Sequence, residues 1–190
     1  MKKFKMMMVA VVFALACGSA SAADFDWSKC WCTFGGGIEQ GDVMFSVGVA
    51  PFSLLGFQNG YNYSYWAVPY LEANLDVATY VGKLPFTFGG YAGFFCNGTH
   101  YTDPAINDTF YGAVYTGAEA LYHISLPPAG LDVYAGARAG VQIYVGDVSG
   151  VSFDWGVVAL GARYFFTKAF AVNLEFGYPN WVKAGVTFKF

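Results

Sequence analysis

Apolar residues alternate strictly with polar or small residues in long stretches of this sequence, up to its last residue. In the final stretch one parity holds Val182, Ala184, Val186, Phe188 and Phe190, and the other holds Lys183, Gly185, Thr187 and Lys189. A period of two is that of a β-strand, because successive side chains point to opposite faces. Chain ends are usually frayed and polar, so a strand with an aromatic last residue needs a paired edge.

The same period recurs along the chain and predicts seven further strands. They are predicted at residues 41–52, within 63–80, and at 85–96, 110–124, 131–145, 151–166 and 169–177. Pro69 interrupts the second strand, and because proline cannot donate to a ladder we expect a bulge there. Eight long strands with an even count and no helices between them predict a closed antiparallel barrel.

Composition decides which solvent surrounds this barrel. Charged residues make up only 12% of the chain, and mean hydropathy is +0.40, whereas soluble domains are about one quarter charged. A soluble barrel such as a lipocalin would place apolar residues inside and charges outside, but the polar parity here has too few charges to cover an outer surface. We therefore predict an all-β, eight-stranded antiparallel transmembrane β-barrel over residues 41–190, with every strand edge paired because lipid offers no hydrogen bonds.

The N-terminus has the three parts of a secretory signal peptide. A basic start (MKKFK) precedes an apolar run (MMMVAVVFALA) and a small-residue stretch (CGSASAA), and the run is too short to span a membrane. We predict a signal peptide over residues 1–22, with cleavage after Ala23 as one alternative and lipidation of Cys17 as another. Residues 23–40 have no clear period and are left unassigned.

Removal of the signal peptide leaves seven Lys and Arg against 13 Asp and Glu, a formal charge of −6. A nucleic-acid-binding protein would show a basic face instead. Three cysteines remain, Cys30, Cys32 and Cys96. An odd count gives no disulfide framework, although Cys96 could pair with one of the others and Cys30 with Cys32 is a weak metal-chelating pattern.

The links between strands differ in length. The short links after the second, fourth and sixth strands are expected on the periplasmic side, and the long links at 53–63 and 97–109 are expected outside. The surface-loop residues predicted from these long links are Asn59, Tyr61, Tyr63, His100 and Tyr101.

Ionisable residues fall on the inward parity of the strands and predict a charge network in the lumen. The set comprises Glu72, Asp76, Glu119, Arg138, Arg163, Glu175 and Lys183. Charges shielded from bulk water are costly unless paired, and the two arginines are the best partners for the acids. The network could fill the lumen, or inward glycines could leave a narrow water path beside it.

His123 and Ser125 lie two residues apart on one strand face and could form a base–nucleophile pair. Their spacing resembles the His-x-Ser of barrel-type lipid A deacylases, but no carboxylate that could orient the histidine is evident nearby. We therefore interpret His123 as an interfacial residue and predict no enzymatic activity.

Two stretches carry a family resemblance. A C-terminal Phe190 after alternating apolar residues resembles the assembly signal of bacterial outer-membrane barrels, which here comprises Val182, Ala184, Val186, Phe188 and Phe190. The stretch GARYFFTKAFAVNLEFGY (residues 161–178) resembles the sixth-to-seventh hairpin of the opacity and outer membrane protein A-like barrel family.

The resemblance implies a monomer in the bacterial outer membrane, with lipid and the barrel assembly machinery as partners and no cofactor. Two functions follow as hypotheses: a structural or surface-binding protein whose loops meet a host or other extracellular ligand, or a narrow porin-like channel for small or hydrophobic solutes.

Overall fold

A computed structural model describes residues 29–51, 62–126 and 130–190. The predicted signal peptide (1–22) and the loop residues Asn59 and Tyr61 lie outside these ranges. No helix in the described ranges is long and apolar enough to cross a membrane.

The described chain forms eight antiparallel strands in one closed barrel, which confirms the predicted fold. The strands are β1 (Val43–Ala50), β2 (Tyr63–Val81), β3 (Leu84–Tyr101), β4 (Thr109–Ser125), β5 (Leu131–Gly146), β6 (Gly150–Phe165), β7 (Phe170–Tyr178) and β8 (Val182–Lys189). Each strand pairs with the next in sequence, and β1 pairs with β8.

The last strand closes the barrel by pairing with β1 from Ala184 to Lys189. Val47 pairs with Val186 and Phe45 with Phe188. Beyond them the Phe190 amide donates to the Val43 carbonyl at 2.9 Å, and the Val43 amide donates to the Phe190 carbonyl at 3.2 Å. The alternating stretch up to Phe190 is therefore hydrogen-bonded to β1, as its pattern predicted.

The two faces of the wall have opposite chemistry. Large apolar side chains are exposed on the outside of all eight strands, among them Phe45, Leu75, Phe88, Val114, Ile143, Phe153, Leu174 and Phe188. Polar and charged side chains are buried inside. An exposed apolar belt around a closed barrel is stable in lipid and would aggregate in water, so the barrel spans a membrane.

Strand lengths differ from the prediction on the side of the long loops. Tyr63 begins β2, and His100 and Tyr101 end β3, so these three residues lie on paired strands. The predicted loop at 97–109 is corrected to 102–108. Pairing continues because Tyr63 aligns with Tyr101 and Thr99 with Thr109. The bulge expected at Pro69 is confirmed by a register shift between Val68 and Leu71.

The barrel has two distinct ends. We call the end that holds residues 29–42, Phe190 and the turn at Gly82 the terminal end, and the opposite end the loop end. Residues 29–42, most of which had no predicted structure, run as turns and bends across the terminal end. There the Ser125 amide donates to the Cys30 carbonyl at 2.9 Å, and the Gly41 amide donates to the Ala78 carbonyl at 2.8 Å.

Candidate functional site

The middle of the lumen holds a continuous ion-pair network. Arg138 Nη1 donates to Glu72 Oε2 at 2.7 Å, and Lys183 bridges Glu72 and Glu175, the latter at 2.7 Å. The Tyr70 hydroxyl donates to the same Glu72 oxygen that Arg138 contacts, at 3.1 Å. These five residues come from β2, β5, β7 and β8, so the network ties walls that are not neighbours.

A second acidic group lies nearer the terminal end. Asn74 Nδ2 donates to Glu119 Oε1 at 2.7 Å. Asp76 and Glu119 both align with Gly89 on the strand between them, and a side chain at Gly89 would collide with the Asp76 carboxylate. No N–H or hydroxyl group of the described residues donates to Asp76, and the carboxyl group it can share a hydrogen bond with is that of Glu119. All seven residues of the predicted lumen set are thus buried inside the barrel, although they do not form a single network.

Arg163 belongs to a third cluster of side chains, close to the terminal end of the lumen. Its Nη1 lies 3.8 Å from Asp132 Oδ2 and 3.0 Å from the Met44 sulfur, and its guanidinium lies 4.7 Å from the centre of the Tyr134 ring. Sequence reasoning omitted Asp132 from the lumen set. The signal was present, because Asp132 shares the inward parity of Arg138 on β5.

His123 has the carboxylate that the sequence did not reveal. Its Nδ1 lies 2.9 Å from Asp132 Oδ1, and its Nε2 lies 3.1 Å from Thr87 Oγ1. The order Asp–His–Thr is that of a hydrolase triad, but all three residues are fully buried. Ser125 is not the hydroxyl at the ring, and the prediction of an interfacial His123 is wrong. The arrangement satisfies buried polar groups and leaves no space for a substrate.

The N-terminal segment packs directly onto this triad and closes the terminal end. The Phe34 ring lies 5.3 Å from the His123 ring and 5.1 Å from the Tyr80 ring. Phe34 and Ile38 form an apolar cluster with Met44, Ala78, Phe165 and Ala171. A Cβ at Gly35 would lie 2.5 Å from the Leu131 carbonyl oxygen, so only glycine allows the segment to approach so closely.

The loop end contains a cavity of about 310 Å³. Its lining comprises Tyr70, Phe95, Tyr115, Gln142, Asp154, Pro179, Asn180 and Trp181. Tyr70 stacks on Tyr115 with ring centres 4.2 Å apart, and the Tyr91 hydroxyl donates to Asp154 Oδ2 at 2.6 Å. The floor of the cavity is therefore aromatic, and the ion-pair network lies beneath it.

The predicted surface residues of β2 and β3 hold the margin of the loop end together. Tyr63 and Tyr101 have ring centres 6.4 Å apart, and His100 Nδ1 lies 2.7 Å from Asp108 Oδ2. The hydrogen bond from His100, together with one from the Tyr101 amide, holds the pKa of the exposed Asp108 carboxyl below its usual value.

Four residues of the predicted C-terminal signal lie on the outer parity of β8, and Phe190 continues that parity just beyond the strand. Phe188 contacts Phe170 on β7 with ring centres 5.6 Å apart, and the Phe190 side chain is 79% exposed. The last side chain therefore contributes little packing to the barrel itself.

The three cysteines within the described ranges are free. Cys30 is buried at the terminal end, whereas Cys96 lies on the half of β3 that leads to the loop end. The suggested disulfide between Cys96 and the N-terminal pair therefore does not form, and Cys32 is exposed. Among residues 29–51, 62–126 and 130–190, no cluster of three His, Cys, Asp or Glu residues could hold a metal ion.

Comparison with known proteins gives low similarity throughout. No protein-family model matches the chain, and no curated protein matches it. Among solved structures, a de novo designed transmembrane β-barrel matches with 16% identity and a TM-score of 0.40, covering 80% of this chain and 98% of the design. Ail, the attachment invasion locus protein of Yersinia pestis, matches with 13% identity and a TM-score of 0.35, covering 80% of this chain and 96% of Ail. Likeness this low says nothing of function, and the fold assignment rests on the closed barrel of the chain itself.

Proposed function

We propose that this chain is a bacterial outer-membrane protein that acts at the cell surface through its loop end and does not conduct solutes. The observation that carries the proposal is the closed lumen: ion pairs cross its middle, and residues 29–42 cover its terminal end.

The inward glycines do not favour the alternative of a narrow channel. A side chain at Gly161 would collide with the Tyr134 ring, and one at Gly93 would collide with the Tyr115 hydroxyl. The space next to these glycines is therefore filled by tyrosines from other strands. An eight-stranded barrel has an interior that side chains can fill, and here large polar and aromatic side chains occupy it.

Three features of the chain support location in the outer membrane. The N-terminal stretch has the pattern of a signal peptide, the described chain crosses a membrane with strands, and the outward row of β8 together with Phe190 resembles an assembly signal. In this proposal the partners are outer-membrane lipid and the barrel assembly machinery, and the terminal end faces the periplasm. The loop end then faces the medium, where an extracellular or host ligand could bind.

Epitope tags inserted at the two ends test the proposal. One tag is placed between Ala105 and Ile106 in the exposed β3–β4 loop, and the other between Gly82 and Lys83 in the β2–β3 turn. On intact cells we expect antibody to stain the loop tag alone, and both tags after the outer membrane is permeabilised. Staining of the turn tag on intact cells, or of neither tag with the protein in the inner-membrane fraction, would contradict the proposal.

A further inference from the structure

The loop-end cavity has the properties of a binding site, and its lining indicates which chemistry it would accept. Its volume of about 310 Å³ is at the lower end of the range of small-ligand pockets. The β7–β8 turn, Pro179 to Trp181, forms one side, and residues of β2 to β6 form the rest. None of these residues belongs to the ion-pair network except Tyr70, which donates to Glu72.

Aromatic rings supply most of the lining. Tyr70 lies between Tyr115, at 4.2 Å, and Phe95, at 6.1 Å, and both pairs are stacked. Trp181 stands at the margin with 72% of its surface exposed. Because Tyr70 is stacked on two rings and both tyrosines are buried, these rings form a fixed back wall, and Trp181 is the lining ring that offers an open face to a ligand.

Asp154 is the charged residue of this lining. Its hydrogen bond comes from the neutral Tyr91 hydroxyl, and it makes no ion pair within the described ranges. The guanidinium of Arg138 lies 5.2 Å from the centre of the Tyr91 ring, but its ion pair is with Glu72. Because Glu72 and Glu175 balance Arg138 and Lys183, the charge of Asp154 remains uncompensated in the cavity.

The rest of the loop end carries the same sign. Asp103, Asp108 and Asp147 are exposed there. The seven Lys and Arg residues after the signal peptide lie elsewhere: Lys29, Lys83, Lys168 and Lys189 belong to the terminal end, and Arg138, Arg163 and Lys183 are inside the lumen. The loop end therefore presents a negative potential, which raises the local concentration of cations.

We propose that the loop-end cavity binds an organic cation with a quaternary alkylammonium head group. Such a group has low hydration and is attracted to aromatic faces as well as to a carboxylate. A small trimethylammonium group fits the volume, with Asp154 as counter-ion, the Trp181 ring as the open aromatic face, and the stacked Tyr70 and Tyr115 rings as the back wall. The proposal deepens the surface-binding role above and rests on the loop end facing the medium, although binding itself can be measured in any folded preparation.

A pair of ligands of the same shape tests whether the positive charge is recognised. They are choline and its neutral carbon isostere, in which a tert-butyl group replaces trimethylammonium. The protein is refolded in a non-ionic detergent without choline groups, and each compound is titrated by saturation-transfer NMR and tryptophan fluorescence. We expect choline to bind at least about tenfold more tightly than the isostere, since only the cation gains from Asp154 and the ring faces. Equal affinity, or no saturable choline binding by folded protein, would overturn the proposal.

Two substitutions at the loop end form a matched pair. Asp154→Asn keeps an acceptor for the Tyr91 hydroxyl but removes the charge, and we expect about a tenfold loss of choline affinity with unchanged isostere binding. Asp103→Asn removes an exposed loop-end charge away from the cavity, and we expect less than about a twofold change. Equal losses in the two variants would mean that choline senses only the general field, which contradicts a site at Asp154.

Trp181→Ala provides a second, independent readout, and because the Trp181 side chain is largely exposed we expect the variant to fold. We expect this variant to lose at least about threefold in choline affinity.

The choline experiments and the epitope tags test different proposals. Correctly placed tags with no choline selectivity would reject the cation site alone. Selective choline binding with a misplaced loop tag would reject the surface role alone.

Discussion

Arg138 on β5 donates a hydrogen bond to Glu72 on β2 at 2.7 Å, straight across the lumen of the barrel. Strands β3 and β4 lie between β2 and β5 on the shorter way round the barrel, so no backbone hydrogen bonds link the strands of these two residues. The side chains are 4% and 0% exposed, and Lys183 contacts the second oxygen of the same carboxylate. Glu72 therefore joins two cations from opposite walls, and the lumen between them is occupied.

Replacement of Glu72 should weaken the barrel strongly. In Glu72→Gln the buried Arg138 loses its counter-ion, and breaking a buried pair from one side costs about 3–5 kcal/mol. We expect unfolding in urea, followed by heat-modifiable gel mobility, to show a loss of about 3 kcal/mol. Glu39→Gln makes the same chemical change at an exposed residue of the N-terminal segment and should cost less than about 0.5 kcal/mol. Equal urea midpoints for the two variants would show that the network contributes little.

Phe34 should control how tightly residues 29–42 close the terminal end. Phe34→Ala removes the contacts with His123 and Tyr80, and loss of a buried phenylalanine costs about 3–5 kcal/mol. Because Cys30 is buried in the same segment, its reaction with maleimide reports opening in a Cys32→Ser, Cys96→Ser background. We expect at least tenfold faster labelling while the barrel stays folded.

The control for this experiment lies on the same segment. Trp31 is also aromatic, but its side chain is 56% exposed, so Trp31→Ala should change the labelling rate less than about threefold. Slow labelling in Phe34→Ala, at the rate of the parent protein, would mean that Phe34 does not hold the segment in place.

His123 should be important for stability and not for catalysis. Folded protein should not react with a fluorophosphonate at Thr87 or Ser125, since Thr87 and His123 are fully buried. His123→Ala leaves the buried Asp132 without its closest donor and should cost about 3 kcal/mol in urea. The exposed His100→Ala should cost less than about 1 kcal/mol. Labelling of folded protein that disappears in His123→Ala would instead indicate an active site.

Phe190 should separate assembly from stability. Phe190→Ala keeps both backbone hydrogen bonds to Val43 and loses a side chain that is largely exposed, so the refolded barrel should stay within about 1 kcal/mol of the parent. In cells we expect its amount in the outer membrane to fall severalfold. Phe166→Ala, an exposed aromatic residue outside β8, should assemble normally. Normal assembly of Phe190→Ala would show that the Phe190 side chain is not part of the assembly signal.

The alternation of side chains predicted the strands well, because one face of each strand contacts lipid and the other faces the lumen. Glu72, Asp76 and Lys183 were placed inside by parity alone, and the structure buries all three. Partner choice could not be predicted in the same way. Whether Lys183 meets Glu72, Glu175 or both depends on the register and tilt of strands that are far apart in sequence.

The features that sequence reasoning missed lie where periodicity stops. Residues 29–42 have no period because they pack as turns against the barrel end, and nothing in their composition indicates that Phe34 meets His123. The role of Asp132 could have been found from parity, but its distance to His123 follows from pairing of β4 with β5. His100 and Tyr101 were assigned to a loop because polar residues dominate there, whereas cross-strand pairing extends β3 beyond the apolar belt.

Single-channel conductance in a planar bilayer shows whether the lumen is closed. Protein is refolded, its folding is verified by heat-modifiable gel mobility, and single-channel current is recorded under applied voltage. We expect a silent barrel, because ion pairs through Glu72 and the segment around Phe34 block the path at two levels. A steady, reproducible conductance from folded protein would contradict it, and an ion selectivity that reverses in Arg138→Glu would place the water path along the same charges.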